Sequence, residues 1–160
     1  MAIIEKRVSD FRSPFTESKV LVIGSGHARV TKAYCHFLEE LGINNYFLNV
    51  NQGLIESLAY NSEKDRVHFY NLLKKTFKKK INLVIIFTDI CVGVRTNEAF
   101  LAKKKKRSEA AIAAQKNLVG IFGQNNPDFL VLSYIITVDG NNTYLDILAE
   151  EAETAGEASA

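Results

Sequence analysis

Residues 20–42, VLVIGSGHARVTKAYCHFLEELG, contain a complete strand–turn–helix pattern that decides the fold class. Residues 20–23 are a continuous apolar, β-rich run that ends in Gly24, which is typical of a strand buried on both faces. Residues 28–41 then place apolar side chains at helical spacing, and Gly42 is a favourable helix stop. A doubly buried strand followed by an amphipathic helix predicts an α/β protein.

The same alternation continues along the chain. We expect four further strands within residues 46–50, 83–87, 118–122 and 129–138, a helical region from Leu54 with a polar break at Asn61 and Ser62, and a final helix that Asn142 would cap. Strands that alternate with helices pair in parallel through right-handed crossovers. Residues 19–148 are therefore predicted to form one α/β domain, a three-layer α/β/α sandwich with a mainly parallel five-stranded sheet of the flavodoxin-like or Rossmann-like kind. Residues 1–18 are predicted to be an irregular arm, and residues 149–160 an acidic flexible tail.

Length and composition restrict the class of protein. A chain of 160 residues with 47% hydrophobic residues fits a single globular domain and excludes a disordered chain. No apolar run approaches the roughly 20 residues of a membrane span, and the N-terminal residues lack the apolar stretch of a secretory signal. We therefore expect a soluble protein. Cys35 and Cys91 have no metal-ligand spacing, so we expect both thiols to be reduced and packed.

The net charge of +2 conceals an uneven distribution. Five of the 18 acidic residues lie within residues 146–160, which leaves 20 basic residues against 13 acidic ones in the rest of the chain. The lysines concentrate in two runs, around residues 74–80 and 103–107. A lysine run is equally typical of a solvated helix face, but two runs in one small domain favour a polyanionic partner.

The turn from Gly24 to Arg29, GSGHAR, resembles part of a dinucleotide-binding loop, in which backbone N–H groups hold a pyrophosphate. Arg29 stands where that motif has its third glycine, and no acidic residue follows the second strand to bind a ribose. The pattern therefore favours a structural turn that needs small residues. Asp89, just after the third strand, lies where parallel sheets place functional groups.

No catalytic set can be assembled from the remaining residues. His27, His36 and His68 have no sequence partners, and Asp128 and Asp139 lie near turns, where aspartate caps the local backbone. We expect neither an enzyme nor a cofactor or metal. The alternative is a nucleotide-binding enzyme or sensor of doubly wound α/β fold, with a phosphate at residues 24–28 and Asp89 at the sheet edge. A receiver-like signalling domain fits less well, because no acid follows the first strand.

Four segments, in consistent order over residues 18–148, resemble a known family. They are SKVLVIG (18–24), YFLNVNQGL (46–54), INLVIIFTD (81–89) and the C-terminal unit EAAIAAQKNLVGIFGQNNPDFLVLSYIITVDGNNTYLDIL (109–148). The last has Asn125, Pro127 and Asp128 in a turn, followed by Tyr134 and then by Asn141 and Asn142 in the final segment. In this order the chain resembles the universal small-subunit ribosomal protein two family, whose C-terminal unit is a helix, a strand, a turn, a further segment and a last helix.

The chain also departs from that family. The family's long N-terminal region and its helical hairpin after the second strand are missing from this chain. The span between Asp89 and Leu118 is longer than in the family by roughly ten residues. A reduced member of this kind fits an organellar ribosome, mitochondrial rather than cytoplasmic.

The resemblance implies a structural component of the small ribosomal subunit that supports translation. Its partners would be ribosomal RNA and neighbouring ribosomal proteins, with no membrane, small-molecule substrate or cofactor. We expect the basic residues to contact RNA phosphates. The candidate RNA-binding residues are Lys74, Lys75, Lys78, Lys79, Lys80, Lys103, Lys104, Lys105, Lys106 and Arg107, with Arg29 and His27 at the first turn.

Overall fold

A computed structural model describes residues 20–50, 53–77, 81–93, 96–123 and 127–148. The expected N-terminal arm and acidic tail lie outside these residues. The elements are β1 (Val20–Gly24), α1 (Ala28–Glu40), β2 (Phe47–Val50), α2 (Leu54–Tyr60), α3 (Glu63–Phe77), β3 (Leu83–Cys91), α4 (Asn97–Phe122), β4 (Leu130–Asp139) and β5 (Asn142–Ile147).

The described strands form one sheet in the order β2-β1-β3-β4-β5. Strands β2, β1, β3 and β4 pair in parallel, and β5 joins β4 in the antiparallel direction. The protein is therefore an α/β fold with a mixed, mainly parallel five-stranded sheet, as the alternating pattern predicts. Strand β3 is longer than expected, because it continues past Phe87 to Cys91 and keeps its pairing with β4 over that length.

Helices cover the sheet on both faces. On one face, Leu21 and Ile23 of β1 belong to a core cluster with Leu58 of α2 and Ala114 of α4. On the other face, Val20 and Val22 belong to a second cluster with residues of α1. Burial on both faces explains the continuous apolar runs in β1 and β3.

The polar break expected at Asn61 and Ser62 separates α2 from α3. The Ser62 hydroxyl donates to Asp65 Oδ2 at 2.7 Å and accepts from the Asp65 backbone N–H at 3.4 Å. The second of these bonds supplies an acceptor to one of the N–H groups that the first turn of a helix leaves without partners. Sequence and structure agree on this boundary.

The strand expected at residues 118–122 is wrong, because those residues are the last turns of the 26-residue helix α4. Leu118 is buried in line with Ala111 and Ala114, whereas Val119 is 44% exposed. Burial therefore has the helical period, and small alanines bring the helix close to the sheet. The Asn117 side-chain amide donates to the carbonyl oxygens of Leu58 and Ala59 at 2.8 and 3.2 Å, which satisfies two carbonyls at the end of α2.

The helix expected to start at Asn142 is also wrong, because Asn142 begins strand β5. Asp139 pairs directly with Asn142, so Gly140 and Asn141 form a tight hairpin turn, and Gly140 has a φ of 56°. A glycine at positive φ between two strands is a hairpin signal. The C-terminal unit is therefore helix, turn, strand, strand, which differs from the order implied by the resemblance. The sheet has five strands as expected, with a different fifth strand.

Gly24 occupies a position that admits no side chain. It lies beside Phe87 in the sheet, and Phe87 lies beside Tyr134. The fully buried Tyr34 ring of α1 stacks on Phe87 with centroids 4.9 Å apart, and a Cβ on Gly24 would lie 2.9 Å from Tyr34 Cε1. The tyrosine ring therefore occupies the space above Gly24.

We expect Gly24→Ala to lower the free energy of unfolding by about 1–3 kcal/mol, because the stacked Tyr34 ring cannot move away without strain. The matched control is Gly120→Ala, in α4, where a Cβ would meet nothing within 4 Å. Removing a glycine there should stabilise the protein by roughly 0.5–1 kcal/mol. Urea unfolding followed by circular dichroism measures both. Equal effects of the two substitutions would contradict this packing.

Leu118→Ala should cost about 2–5 kcal/mol, because it leaves a cavity under α4. Val119→Ala should change stability by less than about 0.5 kcal/mol, since Val119 faces solvent. In a strand buried on both faces, both substitutions would be costly. A comparison of their urea midpoints therefore distinguishes a helix from a strand at these residues.

Candidate functional site

The carboxyl edge of the sheet has a cleft where β1 ends beside β3. The chain leaves β1 towards β2 on one side, and later strands extend the sheet on the other side, so this is the point where strand order reverses. Open α/β sheets bind ligands at such a point. The cleft has a volume of about 320 Å³. Its lining residues are Gly24, Ser25, Gly53, Ile55, Glu56, Phe87, Thr88, Asp89 and Arg107.

The cleft exists because neighbouring strands end at different heights. Gly24 is the last residue of β1 and pairs with Phe87, whereas β3 continues to Cys91 alongside β4 alone. Thr88 and Asp89 therefore stand above the end of β1. The start of α2 and one residue of α4, Arg107, enclose this space. They lie on the sheet face opposite to α1.

One cation and two carboxylates line the cleft. Arg107 Nη1 lies 3.2 Å from Glu56 Oε1, and both side chains are partly exposed. The second carboxylate oxygen, Glu56 Oε2, is buried without a hydrogen-bond partner. Asp89, the residue expected at this edge, is half-buried and lines the same cleft. The described lining residues therefore carry one net negative charge when the acids are ionised.

The glycine-containing turn after β1 is closed by its own hydrogen bonds. The Ser25 carbonyl oxygen accepts from Thr31 Oγ1 at 3.1 Å and from the Tyr34 hydroxyl at 3.2 Å. Ser25 Oγ accepts from the His27 backbone N–H at 3.1 Å. Burial raises the pKa of Tyr34 above its ordinary value, so the hydroxyl stays protonated and remains a donor.

Packing accounts for both glycines of this turn. Gly24 makes room for the Tyr34 ring, and a Cβ on Gly26 would lie 3.0 Å from Val50 Cγ1. Tyr34 thus excludes a side chain at Gly24, whereas a Cβ at Gly26 would require Val50 to shift by a few tenths of an ångström. This agrees with the prediction of a structural turn that needs small residues.

His27 and Arg29 do not line the cleft. Both residues are exposed. His27 precedes α1 without a capping bond from its side chain. Arg29 Nη1 donates to the Gly140 carbonyl oxygen, which links the start of α1 to the β4–β5 turn. These two candidates therefore lie at the first turn, but the Arg29 side chain is hydrogen-bonded to the protein backbone.

The run at residues 103–107 is divided between two sides of α4. Lys103, Lys104 and Arg107 are half-buried, whereas Lys105 and Lys106 are exposed. Lys104 Nζ lies 3.9 Å from Asp146 Oδ2, and Lys105 Nζ lies 3.9 Å from Glu109 Oε1. Within the described residues, three basic side chains of this run have acidic partners, and one of these, Arg107, belongs to the cleft.

The other lysine run lies elsewhere. Lys75 is exposed on α3, and the side chain of Lys74, like Lys78, Lys79 and Lys80, lies outside what the structure describes. Helix α3 ends shortly before Ile81, at the amino end of β3. Lys104 instead contacts Asp146, which pairs with Ile135 level with Thr88. Lys75 and the α4 run are therefore near opposite edges of the sheet.

The histidines and cysteines add no second site. His36 Nε2 lies 3.0 Å from Glu40 Oε1 on the solvent side of α1, and His68 is exposed. Cys35 is free and half-buried, as expected, but Cys91 is exposed, so the expectation of a packed thiol is wrong there. The hydrogen bond between the Tyr46 hydroxyl and Cys35 Sγ, together with burial, raises the pKa of Tyr46 to about 12.

Across the described residues there is no cluster of three metal-ligating side chains, and none of their helices is long and apolar enough to cross a membrane. No model of a known protein family matches the chain, and no curated protein sequence matches it significantly.

The sequence patterns missed Glu56 as a site residue. It lies in the first turn of α2 and meets Arg107, which is 51 positions further along the chain. The available signal was Gly53 followed by an acid in the first turn of a helix, next to the carboxyl edge of a parallel strand. That pattern is common, so only the folded structure brings these two charges together.

Proposed function

We propose that the protein is a structural, RNA-binding component of the small ribosomal subunit, of an organellar type, and that it contacts ribosomal RNA through the outer side of α4. Two supports carry this proposal. One is the resemblance of the ordered segments at residues 18–24, 46–54 and 81–89 to the small-subunit ribosomal protein two family, since the fourth, C-terminal segment has a different order of helix and strands. The other is the exposure of Lys105 and Lys106 beside Lys103, which has no acidic partner among the described residues.

The ion pairs on α4 leave its lysines available for phosphate. The Lys105–Glu109 pair is long, at 3.9 Å, and both side chains are mostly exposed. Exposed pairs of this kind contribute about 0–1 kcal/mol. A phosphate group can therefore replace the carboxylate at little cost, while the release of counterions from RNA favours the exchange.

Contacts of this kind position a protein on RNA without reading its sequence. Specificity would come from the shape of the RNA and from unpaired bases stacked on side chains. Neighbouring ribosomal proteins would contact other surfaces. No catalytic step and no cofactor belong to this function.

Replacing Lys105 and Lys106 together by glutamine should weaken binding to small-subunit ribosomal RNA in filter-binding assays. The slope of log affinity against log salt should become shallower by roughly 1.4–1.8, since two phosphate contacts are lost. The control is Lys32→Gln with Lys64→Gln, because both lysines are exposed and lie on α1 and α3, away from α4. A salt slope near zero for the native protein, or equal losses in both double variants, would contradict the proposal.

The ribosomal assignment has its own test. The native protein should sediment with small ribosomal subunits after a high-salt wash. If the protein sediments apart from the subunits but still binds RNA, the RNA contact is supported and the ribosomal role is contradicted.

A second candidate is the nucleotide-binding alternative, and the position of the cleft at the point of strand reversal favours it. The first turn does not support the phosphate binding that this alternative requires, because Ser25 and His27 are hydrogen-bonded to each other and the described lining of the cleft is net acidic. Thermal-shift measurements with nucleotides separate the candidates. Clear stabilisation by a nucleotide, dependent on its phosphate, would favour this second function.

A further inference from the structure

We propose that the cleft at the ends of β1 and β3 binds a small organic cation that carries an ammonium group. This goes beyond RNA binding, since it concerns a different surface and a different class of ligand. The volume of about 320 Å³ lies at the lower end of the range for small-molecule sites, about 300–1,000 Å³.

The lining residues present hydrogen-bond acceptors without donors to match them. Glu56 uses one carboxylate oxygen on Arg107, and its other oxygen is buried and unpartnered. The Asp89 carboxylate forms no hydrogen bond or ion pair within the described part of the chain. A buried or half-buried acceptor without a donor is costly, so a ligand that donates is favoured.

Thr88 adds an independent observation. It is 2% exposed, lines the cleft, and its hydroxyl forms no hydrogen bond with the residues that the structure describes. A buried hydroxyl normally finds a partner. Its place between the cleft and the end of β1 makes it available to a group bound there.

Charge selects among possible donors. Arg107 is neutralised by Glu56, so the described lining retains the charge of Asp89. A phosphate would meet this carboxylate, whereas an ammonium group would form a charge-assisted hydrogen bond with it. Ile55, in the first turn of α2, provides an apolar contact for the carbon chain of the ligand.

The proposal is tested by isothermal titration calorimetry of the full chain at low salt. Putrescine is the cationic probe, 1,4-butanediol is its neutral counterpart of similar size, and inorganic phosphate is the anionic probe. We expect putrescine to bind, 1,4-butanediol to bind at least tenfold more weakly, and phosphate not to bind in the cleft.

Variants assign the binding to the cleft. Asp89→Asn should weaken putrescine binding about tenfold to a hundredfold, because a charge-assisted hydrogen bond becomes a neutral one. Asp128→Asn is the control, since Asp128 is exposed near the amino end of β4. Glu56→Gln provides a second variant with a weaker expected loss, and circular dichroism checks that each variant folds.

The remaining outcomes would overturn the proposal. These are equal binding of 1,4-butanediol and putrescine, tighter binding of phosphate, unchanged putrescine binding in Asp89→Asn, and no putrescine binding at millimolar concentration. The Lys105 and Lys106 variants of the RNA assay do not touch the cleft. Failure of RNA binding and failure of amine binding are therefore separate results.

Discussion

The packing of the Tyr34 ring against Gly24 is the contact on which the carboxyl edge of the sheet depends. The ring stacks on Phe87 and so attaches α1 to the two central strands at once. Its hydroxyl reaches back to the Ser25 carbonyl and closes the turn that precedes its own helix. One side chain therefore fixes the position of the helix, the path of the turn and the height at which β1 ends. The cleft opens on the other side of this arrangement, above Thr88, because β3 continues where β1 stops.

Helix α4 combines two roles along its length. Its C-terminal part presents alanines to the sheet and packs closely, while Asn117 holds the end of α2. Its N-terminal part carries the lysines, with Arg107 at the boundary between the packed part and the basic part. Arg107 therefore contributes its charge to the cleft, and the exposed lysines ahead of it carry the charge that faces outward.

The parts of the fold that sequence could predict are those where burial determines residue type over several consecutive positions. Residues 20–23 and 83–87 are apolar throughout because both of their faces are covered, and the capped break at Ser62 is a local signal. Residues 118–122 are different, since a run of this length suits a strand or a helix equally. The alanines before it and the carbonyls of α2 decide for the helix. Asn142 can begin a helix or a strand, and its pairing with Asp139 decides. The position of Asp89 at the sheet edge could be predicted from the topology. The contact between Glu56 and Arg107 joins residues that are far apart in sequence, so no local pattern predicts it.

The short antiparallel strand β5 has a consequence for how copies of this protein meet. Strand β4 is ten residues long and largely buried, and an open edge of that length would be a template for pairing with another chain. Strand β5 pairs with residues 134–139, six of those ten, and several of its own residues are polar and exposed, including Asn142, Thr143 and Asp146. Short, charged edges are poor partners for edge-to-edge association. By turning back at Gly140, the chain covers more than half of that edge with a short, largely exposed strand, which disfavours edge-to-edge pairing of copies there.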